Sequence, residues 1–565
     1  MTGAGNHASR ADTGRPWWQV WRVVIAVIAA AAVAGFAFTY RFNTMGGTLG
    51  GFENDHFAHR LRTDMLLQGE QPLRDFADAE LRGAWPALTY AVPAWAQMIG
   101  GRTLLPEAYL TVGALAVSYA IVFFLALDLS KRWSVAVAAA AAALFAAPKL
   151  YNYPKVLMLA CGALVLRLAV SNPSTTRLGL SAVVTAIATL FRHDYGVYLA
   201  VGMVAGLLVR DVRQAVRRIA IYGAFTAACL LPGAIWVHRY EGIPTYVANM
   251  FASSMLETGR TELRLPQFAL SSMLSGDGLL MLTYYAFWAV LLAAAAMLAI
   301  RGVMPGGPRL APAERATAVG LLALAVIVNV FFLRANLGQR LGDAVVPFVL
   351  LAAWSIGAAS SLTARRIRVL ATLVPGVLLL STFAAACSFG DVASKLVTAG
   401  ISDSWDETVR RFEVVRSDLA RLPPITWQPD AAEGTLTAAR YIAECTSPTD
   451  YLLVGAYAPE IGVFARRRFA GGQGTVSLSF YTSDVDQRRT LARLKRQSVP
   501  IILADAREFE EGFASDYPLL AQHLADEYRE AGTIVVDEEP RFRVFVKADR
   551  QPSGVDAYFG LPCFR

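Results

Sequence analysis

The chain of 565 residues is 55% hydrophobic and only 17% charged, with a mean hydropathy of +0.41. Because the apolar residues occur in long runs, this composition excludes an ordinary soluble protein and predicts a polytopic α-helical membrane protein. The net charge of +8 arises in residues 1–400, which contain 32 basic and 19 acidic side chains, whereas residues 401–565 contain 20 and 25. The basic residues lie mostly in short loops between apolar runs, so they indicate membrane orientation and argue against nucleic-acid binding.

Eleven apolar runs are interpreted as membrane spans. Arg10, Arg15 and Arg22 precede the first run, a pattern that resembles an uncleaved signal anchor with a cytoplasmic N-terminus. The runs occupy residues 23–38, 107–127, 134–147, 156–170, 178–191, 196–209, 219–237, 279–300, 316–333, 344–361 and 369–386. The third to sixth runs are short for a hydrocarbon layer of about 30 Å, so their helices could be tilted, broken or wrongly divided.

The distribution of basic residues between the loops predicts the orientation of the spans. Basic clusters follow the even-numbered spans, as they should if those loops are cytoplasmic. The loop 41–105 and everything after the eleventh span then lie on the outer face. We therefore expect a multi-pass protein of the cytoplasmic (inner) membrane with an extracytoplasmic C-terminal domain.

Residues 401–565 differ from the membrane part in charge density and in periodicity. The predicted elements are helices over 436–445, 487–497 and 518–530 and strands over 451–454, 500–504, 533–536 and 542–547. Alternating strands and amphipathic helices predict a small extracytoplasmic α/β domain, which follows a transmembrane domain formed by residues 1–400.

The five cysteines specify neither a metal centre nor a disulfide. Cys161 and Cys229 lie inside apolar runs, whereas Cys387, Cys445 and Cys563 lie on the predicted outer side, where a bridge is permitted. Neither CxxC nor metal-ligand spacing occurs. We therefore predict no cofactor; a divalent metal is compatible with the sequence but unsupported by it.

Acidic residues stand where the first span ends. Glu53 and Asp55, followed by His56, lie in the loop 41–105. A simple anchor does not need these groups, so the two acids are candidate catalytic residues. A structural alternative stays open, because Asn54 or Asp55 could cap a helix whose apolar residues recur at helical spacing behind them.

Cations occur at the outer ends of several spans, where the positive-inside rule disfavours them. Lys155 precedes the fourth span, Arg192 ends the fifth and Arg334 ends the ninth. An ionisable group at membrane depth costs about 2.5–3.5 kcal/mol, so such groups are expected to line a cavity or to pair. Together they predict an anionic ligand such as a phosphate. Singly, each could snorkel to the interface or pair locally, as Arg192 could with Asp194.

Three segments resemble the GT-C superfamily of integral-membrane glycosyltransferases. They are residues 53–76, which contain ENDHF and GEQPLRDF, residues 192–198 (RHDYGVY), and residues 334–339 (RANLGQ) followed by Pro347. The first looks like the first outer loop of bacterial members. Two departures are Asn336 and Gln339, where the family pattern has an aspartate and a histidine, and the lack of an acid in 148–155, which weakens the case for a bound metal.

The resemblance implies a transfer reaction on the outer face. GT-C enzymes pass a sugar from a polyprenyl-phosphate carrier to an acceptor hydroxyl, usually with inversion, and such a reaction needs a general base and cations for the leaving phosphate. The residues implied are Asp55 as the base with Glu53 as second choice, Lys155, Arg192 and Arg334 for the donor phosphate, and His56 or Asp194 to position the acceptor or the base. The implied partners are the donor, membrane lipid and a glycan, lipid or protein acceptor in cell-envelope glycan or glycolipid assembly.

Two other classes of function remain as alternatives. A transporter or flippase of a lipid-linked substrate would also hold charges in a cavity, but it predicts charges deep in several spans and leaves the α/β domain unexplained. A structural or sensory membrane protein leaves the paired acids and the opposing cations unexplained. The position of the charges at the outer ends of the spans favours chemistry at the outer interface.

Overall fold

The fold was analysed in a computed structural model. It describes residues 17–46, 51–52, 54–77, 87–146, 148–260, 276–303, 310–332, 337–422, 435–474, 476–477, 480–536 and 539–565. The helices are α1 (Trp17–Asn43), α2 (Asn54–Leu67), α3 (Leu88–Gly100), α4 (Leu105–Ser130), α5 (Trp133–Phe145), α6 (Tyr153–Ser171), α7 (Thr175–Phe191), α8 (His193–Arg210), α9 (Val212–Tyr240), α10 (Ile243–Arg260), α11 (Gly276–Val303), α12 (Pro312–Phe332), α13 (Leu337–Ala359), α14 (Arg365–Phe389), α15 (Val392–Thr398), α16 (Trp405–Leu419), α17 (Leu436–Cys445), α18 (Glu460–Ala465), α19 (Asp484–Leu494), α20 (Ala506–Glu508), α21 (Ala514–Asp516) and α22 (Pro518–Glu527). The strands are β1 (Tyr451–Gly455), β2 (Arg468–Phe469), β3 (Ile501–Asp505), β4 (Tyr528–Val536), β5 (Glu539–Lys547), β6 (Gly554–Val555) and β7 (Pro562–Cys563).

Each of the eleven predicted runs forms a helix of its own: α1, α4 to α9 and α11 to α14. Among the described residues, eight helices are long and apolar enough to cross a membrane. The other three of the eleven are α5, α7 and α8, with 13, 17 and 18 residues. These three correspond to short runs whose boundaries the sequence analysis left open. Capping residues mark where neighbouring helices in this part of the chain begin. Ser174 caps α7 by accepting a hydrogen bond from the backbone N–H of Arg177, and Asp211 caps α9 in the same way.

Helix α13 forms the centre of the membrane bundle. In its most apolar stretch 94% of the residues are buried, whereas the corresponding share is 6% in α9 and 17% in α1. The apolar side chains that are exposed on α9 and α1 are expected to face lipid, because a large exposed apolar surface is typical of a membrane-facing helix. The polytopic α-helical fold class is therefore confirmed, as is the C-terminal α/β domain.

The C-terminal sheet has five strands in the order β2-β1-β3-β5-β4. Strands β1, β2 and β3 are parallel, and β5 is antiparallel to both β3 and β4. Alternate residues of the strands face opposite sides: Leu452 and Val454 pack with α17 and α18, whereas Leu453 packs with α19 and α22. Each predicted helix and strand of this domain has a counterpart, but the helix predicted over 518–530 ends at Glu527, and residues 528–530 already belong to β4. Among the described elements after α14, the sequence analysis did not predict α15, α16, α18, α20, α21, β2, β6 and β7. Strand β2 and helix α18 are too short for a periodic pattern of apolar residues to be recognised in the sequence.

Helix α2 of the loop 41–105 packs into the core of this C-terminal domain. Phe57, Leu61 and Met65 belong to the same apolar cluster as Phe464 of α18 and Leu452 of β1. The loop 41–105 and the α/β domain are therefore joined by buried apolar contacts. The proposed domain boundary near residue 401 falls between α15 and α16.

Hydrogen bonds connect the end of α1 to the segment around α16, and a disulfide lies within the C-terminal domain. The Asn43 amide at the end of α1 donates to the carbonyl oxygens of Ala399 and Thr408, at 3.0 and 2.8 Å. Cys445 and Cys563, whose pairing the sequence left open, form a disulfide that connects the end of α17 to β7.

Close packing of α8 on α12 generates a prediction about stability. A Cβ atom on Gly320 would lie 2.8 Å from the carbonyl oxygen of Gly202, so Gly320→Ala must push the two helices apart. We expect a loss of about 1–3 kcal/mol in the free energy of unfolding, measured as a lower Tm of the purified protein in detergent. The matched control is Gly113→Ala in α4, where a Cβ has nothing within 4 Å. Equal Tm values for the two variants would contradict this packing.

Candidate active site

Asp55 lies in the first turn of α2, and its carboxylate is held by two tyrosines that are remote in sequence. Tyr457, which follows β1, donates its hydroxyl to Oδ1 of Asp55 at 2.6 Å. Tyr151, which precedes α6, also forms a hydrogen bond with Asp55. The side chain thus makes tertiary contacts that a helix cap would not require. The other candidate acid, Glu53, lies outside the described residues.

The surroundings of Asp55 keep its side chain ionised. Burial alone would raise the pKa of Asp55, but the hydroxyls of Tyr151 and Tyr457 and the nearby His59 and Lys149 together hold that pKa below the usual range of an aspartate. The carboxylate is therefore charged at neutral pH, which is the protonation state that a general base needs.

His56 faces away from this position and into a buried polar network. Its Nε2 lies 2.7 Å from Oε2 of Glu107, and Arg60 donates to Oε1 of Glu107 at 2.5 Å. The amide of Gln97 also donates to Glu107. All four side chains are at most 4% exposed. This network fixes α2 on the first turn of α4, so the structure places His56 among residues that orient the loop.

Sequence reasoning missed Glu107, although a signal existed. Glu107 is the first residue of the second predicted span, and an acid in an apolar run is costly unless it is paired. Its basic partners His56 and Arg60 are separated from it by 51 and 47 residues along the chain. No spacing rule could therefore have identified them.

Lys155 is buried at the beginning of α6 and paired with an acid that the sequence analysis did not select. Its Nζ lies 2.5 Å from Oδ2 of Asp343 near the start of α13, and the two residues are 3% and 7% exposed. Arg340, one turn earlier on α13, lies 3.8 Å from the same carboxylate oxygen. The other carboxylate oxygen of Asp343 is buried without a hydrogen-bond partner among the described residues.

Arg192 and Asp194 form the local pair that the sequence allowed. Two guanidinium nitrogens of Arg192 donate to the two carboxylate oxygens of Asp194, at 3.0 and 2.7 Å. This fork geometry is the strong form of an arginine–carboxylate contact. The backbone N–H of Tyr195 adds a third hydrogen bond to Asp194, so the pair lies between α7 and α8.

The two ion pairs and Asp55 belong to one polar region. Charges on Arg192, Arg340 and Asp343 all act on the ammonium group of Lys155. Tyr151 connects the two parts, because its ring lies close enough to Arg340 and Asp343 for an electrostatic interaction while its hydroxyl reaches Asp55. Among the described residues of this cluster, three basic side chains lie with two carboxylates, which is a formal excess of one positive charge beside Asp55.

Arg334, the third predicted phosphate ligand, lies outside the residues that the structure describes. Within the described ranges, no group of three or more histidine, cysteine, aspartate or glutamate side chains is arranged to hold a metal ion. The arrangement instead offers an ionised carboxylate next to a cationic cluster.

The buried Glu107 network generates a prediction. Replacing Glu107 with Gln leaves the buried guanidinium of Arg60 without its nearest counter-charge, so we expect the free energy of unfolding to fall by about 3 kcal/mol. Thermal unfolding of the purified protein measures the change. Glu413→Gln is the control, because its partner Arg416 is exposed and the pair should contribute nothing measurable. Equal stabilities of both variants and the wild type would contradict the structural role of Glu107.

Comparison with known proteins finds a similarity of structure. No model of a protein family matches the chain, and no curated protein sequence matches it. The chain is similar to a structure described as "Crystal Structure of ArnT from Cupriavidus metallidurans bound to Undecaprenyl phosphate", with 16% sequence identity and a TM-score of 0.49. The similarity covers 95% of this chain and 99% of that one.

Proposed function

We propose that this chain is an integral-membrane glycosyltransferase of the GT-C type. It moves a sugar from a polyprenyl-phosphate carrier to an acceptor hydroxyl on the outer face of the cytoplasmic membrane, with inversion at the anomeric carbon. One observation carries the proposal: the ionised carboxylate of Asp55 lies beside a cluster of cations at the ends of α6, α7 and α13 that the positive-inside rule assigns to the outer face.

Asp55 is the proposed general base. It accepts the proton of the acceptor hydroxyl while that oxygen attacks the anomeric carbon of the donor sugar. The bond between this carbon and the phosphate oxygen breaks, and its electron pair leaves with the carrier phosphate. A single displacement of this kind inverts the configuration, and a positioned base contributes about 10²–10⁴-fold to the rate.

The cationic cluster is the proposed site for the donor phosphate. Lys155, Arg192 and Arg340 supply the positive charge, and Arg334 remains a proposed member because of its place in the sequence. Negative charge grows on the phosphate as the sugar leaves, so fixed cations stabilise the transition state more than the ground state. Asp343 and Asp194 keep these cations paired, and the phosphate would have to compete with the two carboxylates for them.

The distribution of charge argues against a transporter or flippase of a lipid-linked substrate. Such a protein would carry charges deep in its spans, but the central helix α13 is apolar from Ala344 to Ala353. The charged groups of the site lie instead at the outer ends of their helices. Transfer of labelled sugar from a polyprenyl-phosphate donor to an acceptor by the purified protein in detergent would distinguish an enzyme from a transporter, because a transporter moves its substrate without forming a new glycosidic bond.

Replacement of the proposed base tests the mechanism. Asp55→Asn preserves the shape of the side chain but removes its basicity, so we expect turnover to fall at least about 10²-fold with donor binding retained. Transfer of label from the polyprenyl-phosphate sugar measures turnover. Asp75→Asn, in the same outer loop, is the control because Asp75 pairs with Arg74 at the surface.

Two results would contradict this assignment. An active Asp55→Asn variant together with an inactive Glu53→Gln variant would move the base to Glu53. If both variants stayed active, neither acid would be the base, and the loop would have only a structural role.

A charge-neutral replacement tests the phosphate site. Lys155→Gln alone would leave Asp343 with only the more distant Arg340 as a counter-charge, so the double variant Lys155→Gln with Asp343→Asn removes both charges of the closest ion pair. We expect the Kd for the donor to rise about 10- to 150-fold, because a charge-assisted contact contributes roughly 1.5–3 kcal/mol. Arg210→Gln, at the opposite end of α8, is the control. Unchanged donor binding in the double variant would show that the pair is structural.

A further inference from the structure

We propose that Tyr457 of the C-terminal α/β domain is a positioning residue for Asp55. The α/β domain then contributes to the reaction directly, since it orients the base that lies on the outer loop of the membrane domain. This inference rests on the proposed function, because it assigns Tyr457 a role through the proposed base.

The contact between these residues joins two parts of the chain that are 402 residues apart. The hydroxyl of Tyr457 lies 2.6 Å from Oδ1 of Asp55, a length typical of a hydrogen bond to an ionised acceptor. A donor fixed at one oxygen limits rotation of the carboxylate. Tyr457 therefore acts on the direction in which Asp55 presents its lone pairs.

Tyr457 lies in the loop after a parallel strand, a position where open α/β sheets often carry functional residues. Tyr457 follows the carboxyl end of β1, two residues after Gly455. From β1 the chain passes to β2 on one side, and the later strand β3 joins the other side. In open sheets with parallel strands, the loop at this point of divergence borders a crevice that binds ligands. Here that loop contacts the first turn of α2 through the hydrogen bond from Tyr457 to Asp55.

Buried apolar contacts hold the domain in the position that this hydrogen bond needs. The rings of Phe57 on α2 and Phe464 on α18 have centroids 5.3 Å apart. Leu61 packs so closely on Gly462 that a Cβ there would lie 2.7 Å from a Leu61 methyl group. Since α18 begins three residues after Tyr457, docking of α18 on α2 also fixes the tyrosine relative to Asp55.

Four groups act on the carboxylate of Asp55 from the elements around it. His59 belongs to the same helix, Lys149 and Tyr151 come from the segment before α6, and Tyr457 comes from the α/β domain. A hydroxyl that donates to the charged form of an acid lowers the pKa of that acid. Removal of the Tyr457 hydroxyl should therefore raise the pKa of Asp55 while the other three groups stay in place.

The test compares two tyrosines that both bridge the domain to the outer loop. Tyr457→Phe removes the hydrogen bond to Asp55. Tyr451→Phe is the matched control, because its hydroxyl donates to Oε1 of Glu70 at 2.9 Å and does not contact Asp55. Both variants lose one hydrogen bond between the α/β domain and the loop 41–105, so a general loss of docking would appear in both variants.

Two readouts are measured on the full chain in detergent. The pKa of Asp55 is obtained by infrared titration of carboxyl-labelled aspartate, with the corresponding Asp55→Asn protein as the blank. Turnover and KM for a polyprenyl-phosphate sugar are measured across pH. For Tyr457→Phe we expect the pKa of Asp55 and the acid limb of the kcat profile to rise by about one unit, and kcat to fall about 10-fold with an unchanged donor KM. Tyr451→Phe should match the wild type in all of these.

Two results would overturn the positioning role. One is an unchanged Asp55 pKa in Tyr457→Phe, and the other is an equal loss of turnover in both variants. Failure of the proposed function is distinguishable from these results, since it would appear as a wild-type protein without transfer activity. The titration would still decide whether Tyr457 acts on Asp55.

Discussion

The buried ion pair between Arg60 and Glu107 fixes helix α2 on the first turn of α4. The contacts of Asp55 depend on this position, because Asp55 lies in the first turn of α2. A carboxylate and a guanidinium with almost no exposure are stable only if each satisfies the other, because loss of hydration costs several kcal/mol for each ion. His56 and Gln97 supply further hydrogen bonds to the same carboxylate. The network therefore permits very few positions of α2 relative to the membrane helices.

The apolar side of α2 is held by the hydrophobic effect. Its apolar residues enter the core of the α/β domain, where burial of hydrocarbon favours docking without prescribing a direction. The hydrogen bond from Tyr457 to Asp55 is directional and is made to the carboxylate itself. Together these contacts explain why a loop between two spans can hold a carboxylate at a defined place.

Charge balance is the second constraint on the proposed site. Cations at the ends of α6, α7 and α13 would be expensive if they were buried alone, and Asp343 and Asp194 reduce that cost. The sequence analysis recognised Lys155 and Arg192 as unusual because they violate the positive-inside rule. It did not identify Asp343, whose partner is 188 residues away. Pairing also bears on the proposed mechanism, since a phosphate at the proposed site would compete with these carboxylates for the cations.

The sequence by itself determined the eleven helices of the membrane part, the main strands and helices of the α/β domain, and the acids and cations to consider. These properties follow from local patterns: run length measured against the thickness of a bilayer, periodicity along a strand or helix, and the charge of short loops. Only the tertiary structure decided that Cys445 pairs with Cys563, that Glu107 holds α2, and that Tyr457 reaches Asp55. Each of these contacts joins residues from 47 to 402 positions apart, and chain folding brings them together through packing of side chains that no local pattern encodes.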